Sequence, residues 1–116
     1  MKLGVVGSRR RNDPVDKLLV RKWIKELKPD FLVSGGCPKG ADRFAEEIAK
    51  ELSIPIIIFK ADWSGYGKIA GFIRNTDIAK ESDMLLACVS DDRKGGTEDT
   101  IKKFEKLKSP KNIKII

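Results

Sequence analysis

Leu3-Gly4-Val5-Val6-Gly7-Ser8-Arg9 and Phe31-Leu32-Val33-Ser34-Gly35-Gly36-Cys37-Pro38-Lys39-Gly40-Ala41-Asp42 follow one plan: an apolar run of strand length, closed by glycine, with a helix soon after. Beyond the first run, Asp13-Pro14 supplies an N-cap and a proline at the first helical position. Val15, Leu18, Leu19, Trp23 and Leu27 then fall at helical spacing as the expected core face, and Lys28-Pro29 ends the helix. Beyond the second run a helix starts near Ala41-Asp42, with Phe44, Ala45, Ile48, Ala49 and Leu52 as its buried stripe.

The plan repeats to the end of the chain. Ile54 to Phe59 is apolar without alternation, as expected of a strand covered on both faces in a parallel sheet. A polar loop from Lys60 to Lys68 leads to a helix whose expected core face is Ile69, Ile73 and Ala79. Asp83 to Val89 is the fourth strand, Ser90 to Gly96 its loop, Thr97 to Leu107 the fourth helix, and Ile113 to Ile116 a last edge strand. Strands that alternate with helices predict an α/β fold: a Rossmann-like three-layer sandwich of about five mainly parallel strands with helices on both faces. Residues 1–116 read as one domain. In such sheets ligands bind outside the carboxyl ends of the strands, where the strand order reverses, and every glycine-rich loop here follows a strand.

Composition narrows the chemistry. No apolar run approaches the roughly 18 residues of a membrane span, and the apolar part of the N-terminus is too short for a signal peptide, so the expected compartment is the cytoplasm, with no membrane partner. There is no histidine, which removes imidazole acid–base catalysis, histidine triads and the commonest zinc sites. Cys88 reads as strand core and Cys37 as a thiol with no histidine to activate it. No metal or cofactor is implied. The charge of +7 attracts anions, yet the lysines of the last helix and its exit, Lys102, Lys103, Lys106, Lys108, Lys111 and Lys114, have no aromatic residue among them on which a base would stack.

Three post-strand loops hold most of the glycine: Gly7-Ser8-Arg9, Gly35 to Asp42, and Gly95-Gly96-Thr97. Glycine permits positive φ and lets an anion approach main-chain N–H groups, while the following helix aims its positive end at the same place. The spacing of Gly35 and Gly40 is that of a phosphate-binding P-loop, but Ala41 and Asp42 stand where lysine and serine or threonine are required, which argues against ATP or GTP hydrolysis. Gly7-Ser8-Arg9-Arg10 lacks the later glycines of a dinucleotide fingerprint, which argues against an ordinary NAD dehydrogenase.

Taken together, the chain resembles the SLOG superfamily and, within it, the small proteins grouped with YspA. The likeness is carried by Gly7-Ser8-Arg9, Gly35-Gly36, Lys39-Gly40-Ala41-Asp42, Ala61-Asp62-Trp63, Gly67, Ala70-Gly71, Arg74-Asn75 and Gly95-Gly96-Thr97. It implies a Rossmann-like domain that binds nucleotides or nucleotide-derived ligands, with sensor roles proposed for the wider superfamily. Relatives include the lonely-guy phosphoribohydrolases, whose motif P-G-G-x-G-T-x-x-E ends in a glutamate acting at the ribose. Here Thr100 stands at that spacing, so the glutamate does not carry over. Another relative, DprA, binds single-stranded DNA.

The expected ligand-binding residues are therefore Gly7, Ser8, Arg9, Gly35, Gly36, Gly40, Asp42, Asp62, Trp63, Arg74, Asn75, Gly95, Gly96 and Thr97. Arg9 and Arg74 offer paired donors to phosphate or form surface salt bridges. Asp42 accepts from ribose hydroxyls or caps its helix; Asp62-Trp63 supplies a hydroxyl acceptor and a stacking face or a lid; Asn75 reads a base or ties a loop. The expected function is binding of a nucleotide-type phosphate ligand, as a sensor or carrier without strong catalysis, and no catalytic residue is assigned. Two alternatives stay open: cleavage of an N-glycosidic bond by Asp42, Asp62, Glu98 or Asp99, and single-stranded nucleic-acid binding by the basic surface. Homo-oligomer formation is open as well.

Overall fold

A computed structural model describes residues 1–116. Its elements run β1 (Lys2–Gly7), α1 (Pro14–Leu27), β2 (Phe31–Ser34), α2 (Ala41–Leu52), β3 (Ile56–Ile58), α3 (Trp63–Tyr66), a 3-10 turn (Gly67–Ile69), α4 (Ala70–Glu81), β4 (Met84–Cys88), α5 (Gly96–Leu107), a second 3-10 turn (Pro110–Asn112) and β5 (Ile113–Ile115). The five strands form one sheet in the order β3-β2-β1-β4-β5, every pairing parallel. The expected α/β architecture is the one observed.

The two-residue alternation of strands divides the core into two layers. On one side Leu3 and Val5 of β1 and Leu86 and Cys88 of β4 meet Val20 and Ile24 of α1 and Phe44 and Ile48 of α2. On the other, Val6 of β1 and Leu85 and Ala87 of β4 meet Ile78 of α4 and Ile101 and Phe104 of α5. Full burial of Phe44 and Phe104 contributes roughly 2 kcal/mol each to stability. No helix is long and apolar enough to cross a membrane.

The expected core face of α1 needs correction. Val15 and Leu18 are 68% and 66% exposed, and the stripe that meets the sheet is Val20 and Ile24, flanked by the half-buried Trp23 and Leu27. Two apolar stripes on α1 both satisfy helical spacing, and only the docking of α1 beside α2 selects between them. Likewise Ile54–Phe59 is not a doubly covered strand. Only Ile56–Ile58 pair, at the edge of the sheet, and all three are half-buried. The stretch expected as a polar loop, Lys60 to Lys68, contains α3, whose start is capped by the Asp62 carboxylate accepting from the Gly65 N–H at 2.9 Å. Ile69, expected in the core of α4, is 56% exposed just ahead of its first turn, while Ala70, Ile78 and Ala79 are buried.

Candidate functional site

The strand order reverses between β1 and its neighbours β2 and β4, and the sequence connections there leave a crevice beyond the carboxyl ends of β1 and β4. In register, Gly7 pairs with Cys88 as the last step of the β1–β4 ladder. A cavity of about 290 Å³ opens immediately past it. Gly7, Ser8 and Arg9 form one wall, Gly95, Gly96 and Thr97 another, and Asp42, Arg74 and Asn75 close it from α2 and α4.

Five of the expected residues lie outside that wall: Gly35, Gly36, Gly40, Asp62 and Trp63. Gly35 stands directly behind it, its carbonyl accepting from Arg74 Nη1 at 3.0 Å. The Gly40 N–H donates to Asn12 Oδ1 at 2.7 Å, so it is already spent within the protein. Its φ of +73°, with Ser8 carbonyl oxygen 2.7 Å from where a Cβ would sit, makes Gly40 the point at which two loops pass each other without a side chain between them. Gly36 faces Ile58 and Lys60 of the β3 edge. Asp62 caps α3, and the Trp63 ring rests on Gly71, beside Arg74.

Four further wall residues of chemical interest were not among those expected: Arg10, Cys37, Lys94 and Thr100. Arg10 and Lys94 adjoin expected residues, and Thr100 follows Gly96 by one helical turn, its hydroxyl donating to the Gly96 carbonyl at 3.4 Å. Adjacency to a glycine-rich turn was therefore the available signal. Arg10 is not free: it grips Asp92 through Nη1 at 2.9 Å and Nη2 at 2.6 Å and reaches Ser90 Oγ at 3.0 Å, tying the β1–α1 loop to the β4–α5 loop. That grip holds the Asp92 carboxyl well below the usual carboxylate range.

The other cations of the wall, Arg9, Arg74 and Lys94, form no ion pair. Facing them is the N-terminus of the twelve-residue α5, where the Gly96 and Thr97 N–H groups have no backbone acceptor. Gly95, with φ of +114°, sets the turn that aims them. One carboxylate lines the cavity, Asp42. Burial pushes its pKa up, opposed by the Cys37 N–H, which donates to Oδ2 at 3.0 Å, and by Arg74. Glu98 is outside the wall and is clamped by Arg93 through two contacts of 2.9 Å; Asp99 is held by Lys103 and Asn75. Asn75 is 5% exposed and fully committed, donating to the Gly96 carbonyl and Asp99 and accepting from Arg74 Nε, so it ties α4 to the start of α5.

Residues 15–66 match the family model described as "YspA, cpYpsA-related SLOG family". Over this span the chain is similar to the YspA-type SLOG proteins. The matched span runs from α1 to α3, so it includes the Gly35–Asp42 loop and stops short of Arg74 and the β4–α5 loop. No curated protein matches the chain. A solved structure described as the predicted subunit of a tRNA methyltransferase from Methanocaldococcus jannaschii is similar across the whole chain and 68% of its own length, at 19% identity and a TM-score of 0.49.

Proposed function

We propose that the cavity binds a nucleotide-type small molecule through a phosphate group, as a sensor or carrier. The observation that carries this reading is the pair of unspent N–H groups at Gly96 and Thr97, opposite Arg9 and Lys94, which form no ion pair, and Arg74, which stands near Asp42. Arg74 is half-buried and Arg9 and Lys94 are exposed, so all three can turn charge-assisted hydrogen bonds toward an incoming anion. Phosphate suits it best, since a helix N-terminus and a guanidinium fork both match its oxygens. The volume of about 290 Å³ sits at the lower end of small-molecule pockets, which favours a mononucleotide over a dinucleotide. A base leaving the cavity past Arg74 meets the face of Trp63.

A second reading is favoured by Asp42. As the one carboxylate of the wall, with its pKa raised by burial, it stands where a general acid for N-glycosidic cleavage would be needed. The threonine at position 100, where the lonely-guy motif has glutamate, weighs against efficient turnover.

Thermal unfolding with nucleoside mono- and diphosphates, cyclic nucleotides and ADP-ribose tests the binding reading. A ligand at about 100 times its Kd stabilises the fold by roughly 2.7 kcal/mol, a shift on the order of 10 °C for a domain of about 100 residues. Arg74→Ala should abolish most of the shift. A panel that moves neither protein rejects the reading.

A further inference from the structure

Between Trp63 and Phe72 four large apolar side chains stand in solvent: Trp63 is 55% exposed, Tyr66 56%, Ile69 56% and Phe72 55%. Three are aromatic, and the fold brings lysines to them that the sequence keeps apart. Lys103 of α5 places Nζ 5.1 Å from the centroid of the Phe72 ring and donates to the Phe72 carbonyl at 3.0 Å. Lys102 and Lys106 line a shallow groove with Lys103 on the same helix, and Lys68 sits between Tyr66 and Ile69 in the chain. Of the acids nearby, Asp62 is engaged with Ser64 and Gly65 and Asp99 with Lys103, while Glu105 shares the groove with three lysines.

We propose that this aromatic and lysine surface, spanning α3, the turn after it, the first half of α4 and the outer side of α5, binds single-stranded nucleic acid. Flat exposed rings flanked by lysines offer what an unpaired strand presents: π-faces on which successive bases stack and cations that follow the phosphates. Charge decides against a second copy of the chain as occupant, because each copy would bring the same lysines into the contact on a molecule of net charge +7. None of these residues lines the cavity, and Trp63 alone adjoins it, beside Arg74.

Fluorescence anisotropy with a labelled oligothymidine of about twelve nucleotides tests it. The wild type binds, with log affinity falling against log salt at a slope of about −2 for three lysine–phosphate contacts. Trp63→Ala and Phe72→Ala each weaken binding on the order of ten-fold or more, Phe72→Tyr retains it, and Lys103→Ala makes the salt slope shallower. Arg74→Ala leaves oligothymidine binding intact while removing the mononucleotide melting shift, and Phe72→Ala does the reverse, so the two sites fail separately. Absence of oligothymidine binding overturns the proposal. So does binding that ignores Trp63→Ala and Phe72→Ala, and so does a dimer in sedimentation that Phe72→Ala disperses, since the surface would then be a protein contact.

Discussion

Arg74 reaches the carbonyl of Gly35 at 3.0 Å, and a Cβ on Gly35 would lie 2.7 Å from the same Nη1 and 3.0 Å from Asp42 Oδ2. The missing side chain at position 35 is thus what lets the cavity's guanidinium and its carboxylate approach the end of β2 together. Gly35→Ala should push Arg74 outward, because a flexible guanidinium yields more easily than backbone. The expected cost to the fold is about 1 kcal/mol, while the nucleotide-dependent melting shift is lost. Equal ligand response in wild type and variant would detach Arg74 from the site.

Asp42 makes a prediction about pH. Burial favours its protonated form, so the folded state keeps a proton that the unfolded chain sheds above 3.8. Stability from this group therefore falls as pH rises from 3.8 through the raised folded value, and stays lower above it. Asp42→Asn cannot titrate and can still accept from the Cys37 N–H. The variant should melt above wild type at neutral pH, with the difference vanishing below 3.8. Asp92 and Glu51, whose shifts run the other way, are common to both proteins and cancel in the difference. Melting curves of both across pH 3 to 8, in buffer without phosphate, measure it.

Catalysis separates the acidic residues by position. Base release from adenosine monophosphate should be slow, and any that occurs should disappear in Asp42→Asn and persist in Glu98→Gln, because Glu98 is held by Arg93 away from the cavity. Rapid release that depends on Glu98 would show that the β4–α5 loop rearranges on binding. Chromatographic detection of free adenine suffices.

Two glycines of the loops should respond oppositely. Gly40→Ala meets both a positive φ and the Ser8 carbonyl at 2.7 Å, and should destabilise the fold by about 2 kcal/mol or more. Gly96→Ala has only Asn75 Nδ2 within 4.0 Å and sits at the first turn of α5, where alanine is the better helix former. It should fold at least as well as wild type, yet lose ligand response, since the new methyl enters the cavity wall. Denaturant unfolding of each variant, with and without nucleotide, distinguishes a structural glycine from one that leaves room for a ligand.

Strand and helix order was legible because hydrophobic periodicity and glycine punctuation are local signals: the run closed by Gly7, the run closed by Gly35 and the Asp13-Pro14 start each state their element within a few residues. The same locality explains the misreadings. Val15 and Leu18 obey helical spacing as well as Val20 and Ile24 do, and Ile54 to Phe59 is apolar whether it lies centrally or at an edge.

Sequence by itself determined the α/β alternation, the exclusion of histidine chemistry, and the glycine turns at the strand ends, since these depend only on residue type and spacing. Tertiary structure decided which of those turns share a cavity, that Asp42 and not Glu98 stands in it, that Asn75 is spent on packing, and that Lys103 meets Phe72. Those facts follow from strand order, which sets Gly7 beside Cys88 across 81 residues of chain and places α4 against α5. Hydrophobic burial selects that order through contacts distant in sequence, and no local pattern contains them.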